Sequence, residues 1–432
     1  MKVIVIGGGV GGLAVAHDLA KNGVEVVLYE KNNFLGGLAS GFSTEGTTLE
    51  RFYHHIFTTD IYYQQMVQDV GIADKLMWLN PKMGMFFGNK IYNFGLPLDL
   101  LRFEPLSFLA KVRFALSILY LQRVKNWKKY ESVTAESWLR KVTGENVFRV
   151  IWGPLLQAKF GEHYKKVSMA WFWARVTTRA GSRKDGKETL GYLQGGFMAL
   201  VNAMEEKIKS YGGKIFLEAD VEKILLKDGK AKGVVVSGKE EQADLVICTL
   251  APSLLLKLLP DAPSDFARHY HPVDYLGAMC LVLKLKKSLT PIYWLNISDP
   301  TVPMTAVVEH TNFIDKSYYN NHVYMYLGNY LPQNHAFFQM DSATLLKEFH
   351  PHLKKIFPHY DSDLVLEKWL FKEMFAQPVM EVGYSSKIPP VKTTISGLYH
   401  ISMAQVYPED RGTNFSIKLG IELAQIILKN PG

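Results

Sequence analysis

The stretch VIVIGGGVGG at residues 3–12 decides the fold of this chain. Residues 3–6 are all β-branched, which predicts a strand buried on both faces of a parallel sheet. Gly7, Gly9 and Gly12 follow with the spacing G-x-G-x-x-G. In that pattern the first glycine permits a tight turn, the second lets a pyrophosphate approach the backbone, and the third lets the next helix pack closely on the strand. The stretch therefore predicts a dinucleotide-binding turn.

The residues after this turn strengthen the prediction. Residues 13–21 predict a helix that Gly23 ends, and residues 24–29 predict a second strand that stops at Glu30. A carboxylate at this place accepts a hydrogen bond from a ribose hydroxyl, and the helix N-terminus faces the phosphates. The expected cofactor contacts at this end of the site also include Gly11 and Lys31. The alternative is a glycine-rich turn without a ligand and a solvated Glu30.

The composition is that of a globular protein with two domains. The chain has 432 residues, of which 48% are hydrophobic and 21% are charged, and this length exceeds one ordinary core. The formal net charge of +8 suits an anionic ligand or an anionic membrane surface. The sequence has no zinc-ligand spacing and no compact basic and aromatic RNA-binding motif, so we predict neither a metal site nor a nucleic-acid partner.

Cysteine content and the start of the chain bear on location. Cys248 and Cys280 lie in apolar runs, as buried thiols usually do, so we expect no disulfide framework and a reducing compartment. The first strand starts at Lys2 without a charged leader and apolar segment before it, so no signal peptide is expected. No apolar run reaches the roughly 18 residues of a spanning helix. We expect a cytoplasmic protein and leave attachment to the inner face of the membrane open.

The next glycines distinguish between dinucleotides. The doublet Gly36-Gly37 resembles the second diphosphate-contacting turn of the flavin amine oxidase superfamily, which includes protoporphyrinogen oxidases and carotenoid desaturases. Many members carry arginine after the doublet, whereas this chain has Leu38. The resemblance implies FAD as the cofactor. Leu38 is a candidate for a cofactor contact by its position, but it lacks the phosphate or flavin contact that the family's arginine would provide.

Two later segments extend the resemblance along the chain. Residues 192–224 resemble the passage in which a glycine pair begins a helix and a later strand returns to the FAD, and the backbone of Val221 is implied to meet the adenine. The strand at 243–249 ends in Leu250-Ala251-Pro252, which resembles the family's return into the Rossmann sheet beside the adenylate. An unrelated α/β connection is the alternative.

The C-terminal segment, residues 397–427, resembles the final flavin-contacting strand, loop and helix. Relatives commonly have Gly-Asp after this strand, whereas this chain has Ser402-Met403, so Asp410 becomes the candidate for the ribityl contact. Thr413 or Asn414 can cap a helix at 415–428 whose positive end faces the flavin. Arg411 is expected to reinforce that positive charge, or else to pair with Asp410 in a structural turn.

These observations predict an α/β protein with two discontinuous domains. We expect a Rossmann-type FAD-binding domain of the GR2 class at 1–80, 191–270 and 391–432. A mixed α+β substrate-binding domain is expected at 81–190 and 271–390, where aromatic residues are frequent enough to line a cavity for an apolar or ring-containing substrate. Ordinary core packing explains any single aromatic residue equally well.

Residues 51–59, RFYHHIFTT, follow the Gly36-Gly37 turn and lie near the flavin in this superfamily. A histidine there can transfer a proton or orient a polar group of the substrate. His54 and His55 are therefore catalytic candidates together with Arg411. Because neighbours on a strand point in opposite directions, at most one histidine is expected to face the flavin. A structural role remains open for each.

Residues 107–129 combine an apolar helix with a basic surround. From Ser107 to Arg123 the apolar residues have helical spacing, with six lysines and arginines around them. Such a helix suits the interface of an anionic membrane, and similar segments admit lipophilic substrates in protoporphyrinogen oxidases and carotenoid desaturases. A core helix of the substrate domain is the alternative.

The chemistry is expected to come from the cofactor, because the sequence has no serine elbow, H-E-x-x-H or P-loop. The main hypothesis is an FAD-dependent oxidoreductase that takes a hydride from a lipophilic or ring-containing small molecule. The pair His54-His55 also resembles the histidine segment of UDP-galactopyranose mutases, so a flavin-dependent isomerase of a nucleotide or lipid-linked sugar is the second hypothesis. The third is a non-catalytic FAD- or lipid-binding protein. The sequence leaves the oligomeric state open.

Overall fold

A computed structural model describes residues 1–184, 187–263, 266–270 and 273–429. Parts of the predicted domains, at 185–186, 264–265, 271–272 and 430–432, lie outside the described residues. The centre of the fold is a sheet of five parallel strands. In spatial order they are Lys214–Phe216, Glu25–Tyr29, Lys2–Ile6, Leu245–Cys248 and Leu398–His400. Their carboxyl ends lie along one edge of this central sheet.

Both faces of the central sheet are buried. Val3 and Val5 belong to one apolar cluster with the helices Val10–Lys21, Phe197–Ser210 and Thr413–Lys429. Ile4 and Ile6 belong to a second cluster with an antiparallel sheet on the opposite face. The strands of that antiparallel sheet are Val221–Lys227, Lys230–Val236 and Lys239–Gln242. Because successive side chains of a strand point to opposite faces, a strand in this place needs an unbroken apolar run.

The first and last helices pack closely at a glycine. A Cβ atom on Gly420 would lie 2.6 Å from the Ala14 Cβ and 2.7 Å from the Gly11 carbonyl oxygen. The absence of a side chain therefore lets Thr413–Lys429 lie directly against Val10–Lys21. This contact holds the C-terminal helix beside the glycine turn that follows the first strand.

A second, seven-stranded sheet lies beside the first unit. Its strands are all antiparallel to their neighbours, except for one parallel pair between Trp294–Ile297 and Met83–Phe87. Its inner face shares an apolar cluster with the central sheet, and its outer face packs on the helix Ser342–Ile356. In spatial order the strands are Val365–Pro378, Tyr275–Leu285, Val323–Pro332, Ala306–Glu309, Trp294–Ile297, Met83–Phe87 and Lys90–Asn93.

Helices and short strands complete the described chain. The remaining helices are Ile61–Asp69, Pro97–Arg102, Phe108–Arg123, Ala135–Thr143, Glu145–Val147, Gly153–Phe160, Met169–Gly181, Pro252–Lys257 and Phe266–His269. The remaining strands are Gly41–Thr44, Thr47–Glu50, Ile56–Phe57, Leu76–Leu79, Arg183–Lys184, Lys187–Glu188 and Leu190–Leu193. None of the helices in the described ranges combines the length and the apolar character that a bilayer crossing requires.

The predicted fold class is confirmed: a Rossmann-type unit is joined to a mixed α+β unit. The first helix begins three residues earlier than predicted, at Val10, because Gly9 is its N-cap. The bounds of the two domains stay a prediction.

Candidate functional site

A cavity of about 1250 Å³ extends from the carboxyl edge of the central sheet to the helices Phe108–Arg123 and Met169–Gly181. Pockets for one drug-sized ligand measure roughly 300–1,000 Å³, so this cavity has room for a dinucleotide and a second ligand. The structure brings all of the sequence-predicted site residues to its walls. They are Gly7, Gly9, Gly11, Gly12, Glu30, Lys31, Gly36, Gly37, Leu38, His54, His55, Val221, Ala251, Asp410, Arg411, Thr413 and Asn414.

The two glycine turns meet in this cavity. The Gly36 N–H donates to the Gly8 carbonyl oxygen at 2.8 Å, and a Cβ on Gly37 would lie 3.2 Å from the Gly9 Cα. A Cβ on Gly9 would meet no atom within 4 Å and would project into open space. A Cβ on Gly12 would lie only 2.1 Å from the Gly7 carbonyl oxygen. Gly12 is thus needed for packing, whereas Gly9 leaves the cavity accessible to a ligand.

Glu30 is held in a fixed orientation at the end of the second strand. Its Oε2 accepts from the Gly8 N–H at 2.7 Å, and its Oε1 accepts from the backbone and side-chain N–H groups of Asn32 at 2.9 and 2.7 Å. A carboxylate has about four acceptor sites, so one acceptor position is left for a ligand hydroxyl. Val221 and Ala251 line the same cavity from the ends of neighbouring segments.

The start of the C-terminal helix differs from the prediction. The helix begins at Thr413, and the N–H groups of Phe415 and Ser416 donate to the Gly412 carbonyl oxygen. Neither Thr413 nor Asn414 is the N-cap, because both are already inside the helix. The Asn414 Oδ1 instead accepts from the backbone N–H groups of Tyr62 and Tyr63 at 2.9 and 3.1 Å. Asn414 thus satisfies donors in the first turn of Ile61–Asp69, donors that have no partner within their own helix.

Ser402 is one of the positions at which the sequence departs from the pattern that the family resemblance implies. It follows the last strand of the central sheet, lines the cavity and is only 8% exposed. Its Oγ lacks a hydrogen bond of ordinary geometry within the described ranges and has the Tyr275 hydroxyl as a neighbour. The sequence interpretation treated Ser402 only as a departure from the family. Its position at the carboxyl end of a parallel strand, where ligands of such sheets bind, was the signal that could have identified it.

Asp410 does not have the free carboxylate that a ribityl contact requires. Its Oδ2 lies 2.8 Å from the Lys159 Nζ and accepts from the Arg175 Nη1 at 2.7 Å, and its Oδ1 accepts from the Trp171 Nε1 at 3.2 Å. Burial raises the pKa of a carboxyl, but Lys159 and Arg175 hold the pKa of Asp410 below its ordinary value. Burial lowers the pKa of Lys159 to about 7, although Asp410 opposes this shift. Asp410 is thus the counter-ion of a cationic cluster.

Arg411 is not paired with Asp410, the alternative left open by the sequence. Its Nε donates to the Gln377 Oε1 at 3.0 Å, and its Nη2 donates to the Tyr330 hydroxyl. Both partners come from the seven-stranded sheet. Together with Leu38 and His54, Arg411 also borders a small chamber beside the main cavity.

Both histidines line the cavity, and the expectation that at most one of them faces the flavin stays a prediction. Residues 51–55 do not form a strand, which begins only at Ile56, so the alternation of side chains does not apply. The His54 Nδ1 contacts the Phe52 carbonyl oxygen, which can only accept, so Nδ1 carries the proton. Burial and Arg411 lower the pKa of His54 to about 4. His54 is therefore a neutral ring with Nε2 as an acceptor at neutral pH.

Several charged side chains of the cavity were missed in the sequence, and four of them lie near the predicted site residues or on the helices that face them. Lys159, Arg175 and Arg179 supply positive charge, and Asp60 supplies a carboxyl group. Burial raises the pKa of Asp60 to about 6. Arg175 and Arg179 are four residues apart on Met169–Gly181, and that spacing on a predicted helix was a usable signal. Lys159 and Asp60 gave no local signal, because their roles depend on distant parts of the chain.

Comparisons with known proteins agree with this geometry. Residues 10–404 match the model of the family described as flavin containing amine oxidoreductase. The 15-cis-phytoene desaturase of Glycine max is 25% identical over 282 residues, which is 60% of this chain and 49% of the desaturase. The chain thus spans about half the length of the curated relatives it matches.

Two solved structures resemble the whole chain. A candidate protoporphyrinogen oxidase from Exiguobacterium sp. 255-15 has a TM-score of 0.78 at 19% identity, with 99% of each chain covered. A reduced UDP-galactopyranose mutase has a TM-score of 0.76 at 18% identity, with 99% of this chain and 95% of the mutase covered. At these identities, the likeness establishes the fold alone.

Proposed function

The chain belongs to the flavin-containing amine oxidoreductase family, and on that premise we propose that it is an FAD-dependent oxidoreductase. The observation that carries this proposal is the meeting of two glycine turns, at Gly9 and Gly37, in one large cavity. Gly9 leaves open space where a Cβ would project, as close approach of a diphosphate requires. The residues present therefore fit FAD.

Several groups would hold this cofactor. Glu30 would accept from the ribose, the N-terminus of Val10–Lys21 would face the diphosphate, and Ser402 would line the flavin side of the cavity. When bound, FAD supplies an acceptor for the hydride of a substrate C–H bond. The protein positions the substrate, excludes water and presents His54 as a neutral hydrogen-bond acceptor.

We propose a lipophilic or ring-containing substrate. The end of the cavity between Phe108–Arg123 and Met169–Gly181 has the apolar residues Phe114, Ile118 and Phe172 in its wall. The curated relative from Glycine max is named for phytoene, and this supports an apolar substrate for the present chain. Trp171 and Tyr330 add aromatic surface to the same cavity.

We further propose that the protein docks on the surface of an anionic membrane through an exposed apolar face. The helix Phe108–Arg123 packs inward with Ala110, Ser117 and Leu121 and turns large apolar side chains outward. The exposed fractions on this helix are 76% for Phe108, 68% for Leu109 and 60% for Leu116. Leu98 and Leu101 of the preceding helix Pro97–Arg102 are 60% and 58% exposed. Arg102, Lys111, Arg113, Arg123, Lys125, Lys128 and Lys129 surround them in the sequence. An apolar face with a cationic rim is suited to an anionic bilayer surface.

The buried free thiols Cys248 and Cys280 support a reducing compartment. We propose that the protein is located on the cytoplasmic side of the membrane.

An anaerobic titration tests the oxidoreductase. The purified holoenzyme is mixed with polyprenoids, porphyrinogens, amines and nucleotide sugars, and the flavin absorbance is recorded. Bleaching of the oxidised flavin by a lipophilic or ring-containing compound is the expected result. A protein that takes up no FAD on reconstitution would overturn the proposal.

A flavin-dependent isomerase of a nucleotide or lipid-linked sugar is the second candidate. His54 favours it, because its ring lies in the cavity as a neutral acceptor beside Arg411. The same titration separates the two functions. An isomerase would convert a sugar substrate only after chemical reduction of the enzyme, and the flavin would show no net change in redox state.

A further inference from the structure

One helix carries two cationic side chains, Arg175 and Arg179, into the cavity, and we call this pair the cationic row. On Met169–Gly181, Trp171, Arg175 and Arg179 follow each other at intervals of four residues and line the cavity. Residues at this spacing lie on the same face of a helix. Like charges at this spacing repel and destabilise the helix. The repulsion between Arg175 and Arg179 therefore lowers the stability of the helix, and an anion bound in the cavity would offset this loss.

Among the described residues, carboxylates pair directly with Arg175 but not with Arg179. Asp410 contacts both Lys159 and Arg175, so one carboxylate serves two cations. Arg179 has neither an ion pair nor a hydrogen bond to any residue in the described part of the chain. The carboxylate with the largest electrostatic effect on Arg179 is Glu188, which lies beyond ion-pair distance. The Glu188 Oε1 also has no hydrogen-bond donor within the described ranges.

The helix next to the cationic row gives the cavity an apolar wall. Phe114, Ile118 and Leu119 of the helix Phe108–Arg123 line the same cavity as Arg179. The two helices are joined by a hydrogen bond from the Trp173 Nε1 to the Leu121 carbonyl oxygen at 3.0 Å. The cavity thus combines a cationic wall with an apolar wall, and the helix that forms the apolar wall also carries the exposed apolar face.

We propose that the cavity binds an amphiphile whose oxyanion head group, a carboxylate or a phosphate, contacts Arg175 and Arg179 while its hydrocarbon part lies along the apolar wall of the cavity. This inference rests on the proposed function and names the substrate class of the same site. A guanidinium pairs well with the oxygen atoms of either head group. A protonated amine would be repelled by the guanidinium groups of Arg175 and Arg179, so this part of the cavity disfavours amine head groups.

A set of ligands with one chain length tests this proposal. Dodecyl phosphate, dodecanoate, dodecan-1-ol and dodecylamine are each titrated into the holoenzyme below micelle-forming concentrations, and binding is followed by the flavin difference spectrum. At least one anionic ligand is expected to bind about tenfold more tightly than the alcohol. The two anions then distinguish a phosphate from a carboxylate site. Equal binding of the anions and the alcohol would overturn the proposal.

Substitutions test whether the cationic row causes the preference for anionic ligands. Arg179→Met is expected to remove the preference for the anion, whereas Arg123→Met, on the exposed end of the neighbouring helix, is expected to retain it. Glu188→Gln is expected to strengthen anion binding, since it removes a negative charge near Arg179. An unchanged preference in folded Arg179→Met would refute the assignment. If Arg179→Met does not fold, the Glu188→Gln variant and the wild-type ligand series test the proposal instead.

Flavin content separates the two proposals. A wild-type protein without bound FAD would remove the oxidoreductase proposal. A flavin-loaded enzyme that shows no head-group preference would remove only the present inference.

Discussion

The Nζ of Lys159 lies 2.8 Å from the Oδ2 of Asp410 in the wall of the cavity. Lys159 lies on the helix Gly153–Phe160 and Asp410 lies just before the C-terminal helix Thr413–Lys429, so only the tertiary structure brings the two residues together. Arg175 shares the same Oδ2. Removal of this carboxylate leaves two cations without a counter-ion.

Asp410→Asn is therefore expected to destabilise the protein by about 3 kcal/mol, the lower end for a broken buried pair, because Arg175 is 35% exposed. Denaturant unfolding of the flavin-free protein measures the change. Glu409→Gln, at the adjacent position, is the control and should stay within about 0.5 kcal/mol. A double variant with Lys159→Met should recover part of the loss. Equal stability of Asp410→Asn and the control would contradict the role of Asp410 as counter-ion.

Lys159 is expected to make stability depend on pH above neutrality. Burial lowers its pKa to about 7 in the folded protein from an ordinary value of 10.5. Between these values the unfolded chain binds more protons than the folded protein, so the free energy of unfolding rises with pH, by at most about 1.4 kcal/mol per unit. Below pH 7 the group is protonated in both states, so it adds no further pH dependence to the free energy of unfolding. Unfolding of wild type and Lys159→Met at pH 7 to 10 should give a smaller slope for the variant, and identical slopes would refute this.

Substitutions of Gly9 and Gly12, the second and third glycines of the first turn, are expected to have different effects. Gly9 has φ −66° and open space at its Cβ, so Gly9→Val should leave the flavin-free protein stable and weaken FAD binding at least about tenfold. Gly12→Ala would place a Cβ 2.1 Å from the Gly7 carbonyl oxygen and should cost about 1–3 kcal/mol of stability. Thermal unfolding of the flavin-free proteins and flavin absorbance after reconstitution measure both effects. Normal FAD binding by Gly9→Val would show that no diphosphate approaches this residue.

Asn414 is expected to act as an acceptor for a neighbouring helix. Asn414→Ala leaves the N–H groups of Tyr62 and Tyr63 without a protein partner and should cost about 1–2 kcal/mol. Asn414→Asp keeps the acceptor and should retain most of the stability. Thr413→Ala serves as the control with a change within about 0.5 kcal/mol. A larger loss for Thr413→Ala than for Asn414→Ala would restore the capping interpretation.

Membrane docking is tested with substitutions on the exposed apolar face. Phe108→Glu and Leu116→Glu should each weaken co-sedimentation with anionic vesicles at least about tenfold, because an apolar side chain worth about 1.5–3 kcal/mol is lost from the interface. Leu366→Glu, an exposed leucine on the strand Val365–Pro378, is the matched control. Binding by wild type should fall as salt is added. Equal binding by all of these proteins would exclude this face as the contact.

Local sequence patterns predict the cofactor end of the site well. The spacing of Gly7, Gly9 and Gly12 depends on one turn between a strand and a helix, so a few adjacent residues contain the required information. The same holds for Glu30, which ends the next strand. The doublet Gly36-Gly37 was also identified correctly as a second turn of the cavity.

The substrate end could not be predicted in the same way. The partners of Asp410 on Met169–Gly181 are 235 and 239 residues away in sequence, and no periodicity relates such positions. Residues 51–55 lack the regular strand geometry that alternation assumes, which is why both histidines line the cavity. Asn414 is a frequent N-cap residue by type, but its place inside the helix directs it to the amides of another element.

The order of strands in the central sheet sets the timing of folding during synthesis. Lys2–Ile6 pairs with Leu245–Cys248, and that strand pairs with Leu398–His400. A nascent chain therefore has its first glycine turn long before the last strand and the helix beside it emerge from the ribosome. Pairings over such separations slow folding and expose unpaired strand edges meanwhile. One edge of Leu245–Cys248 therefore stays unpaired until the C-terminal strand has been synthesised.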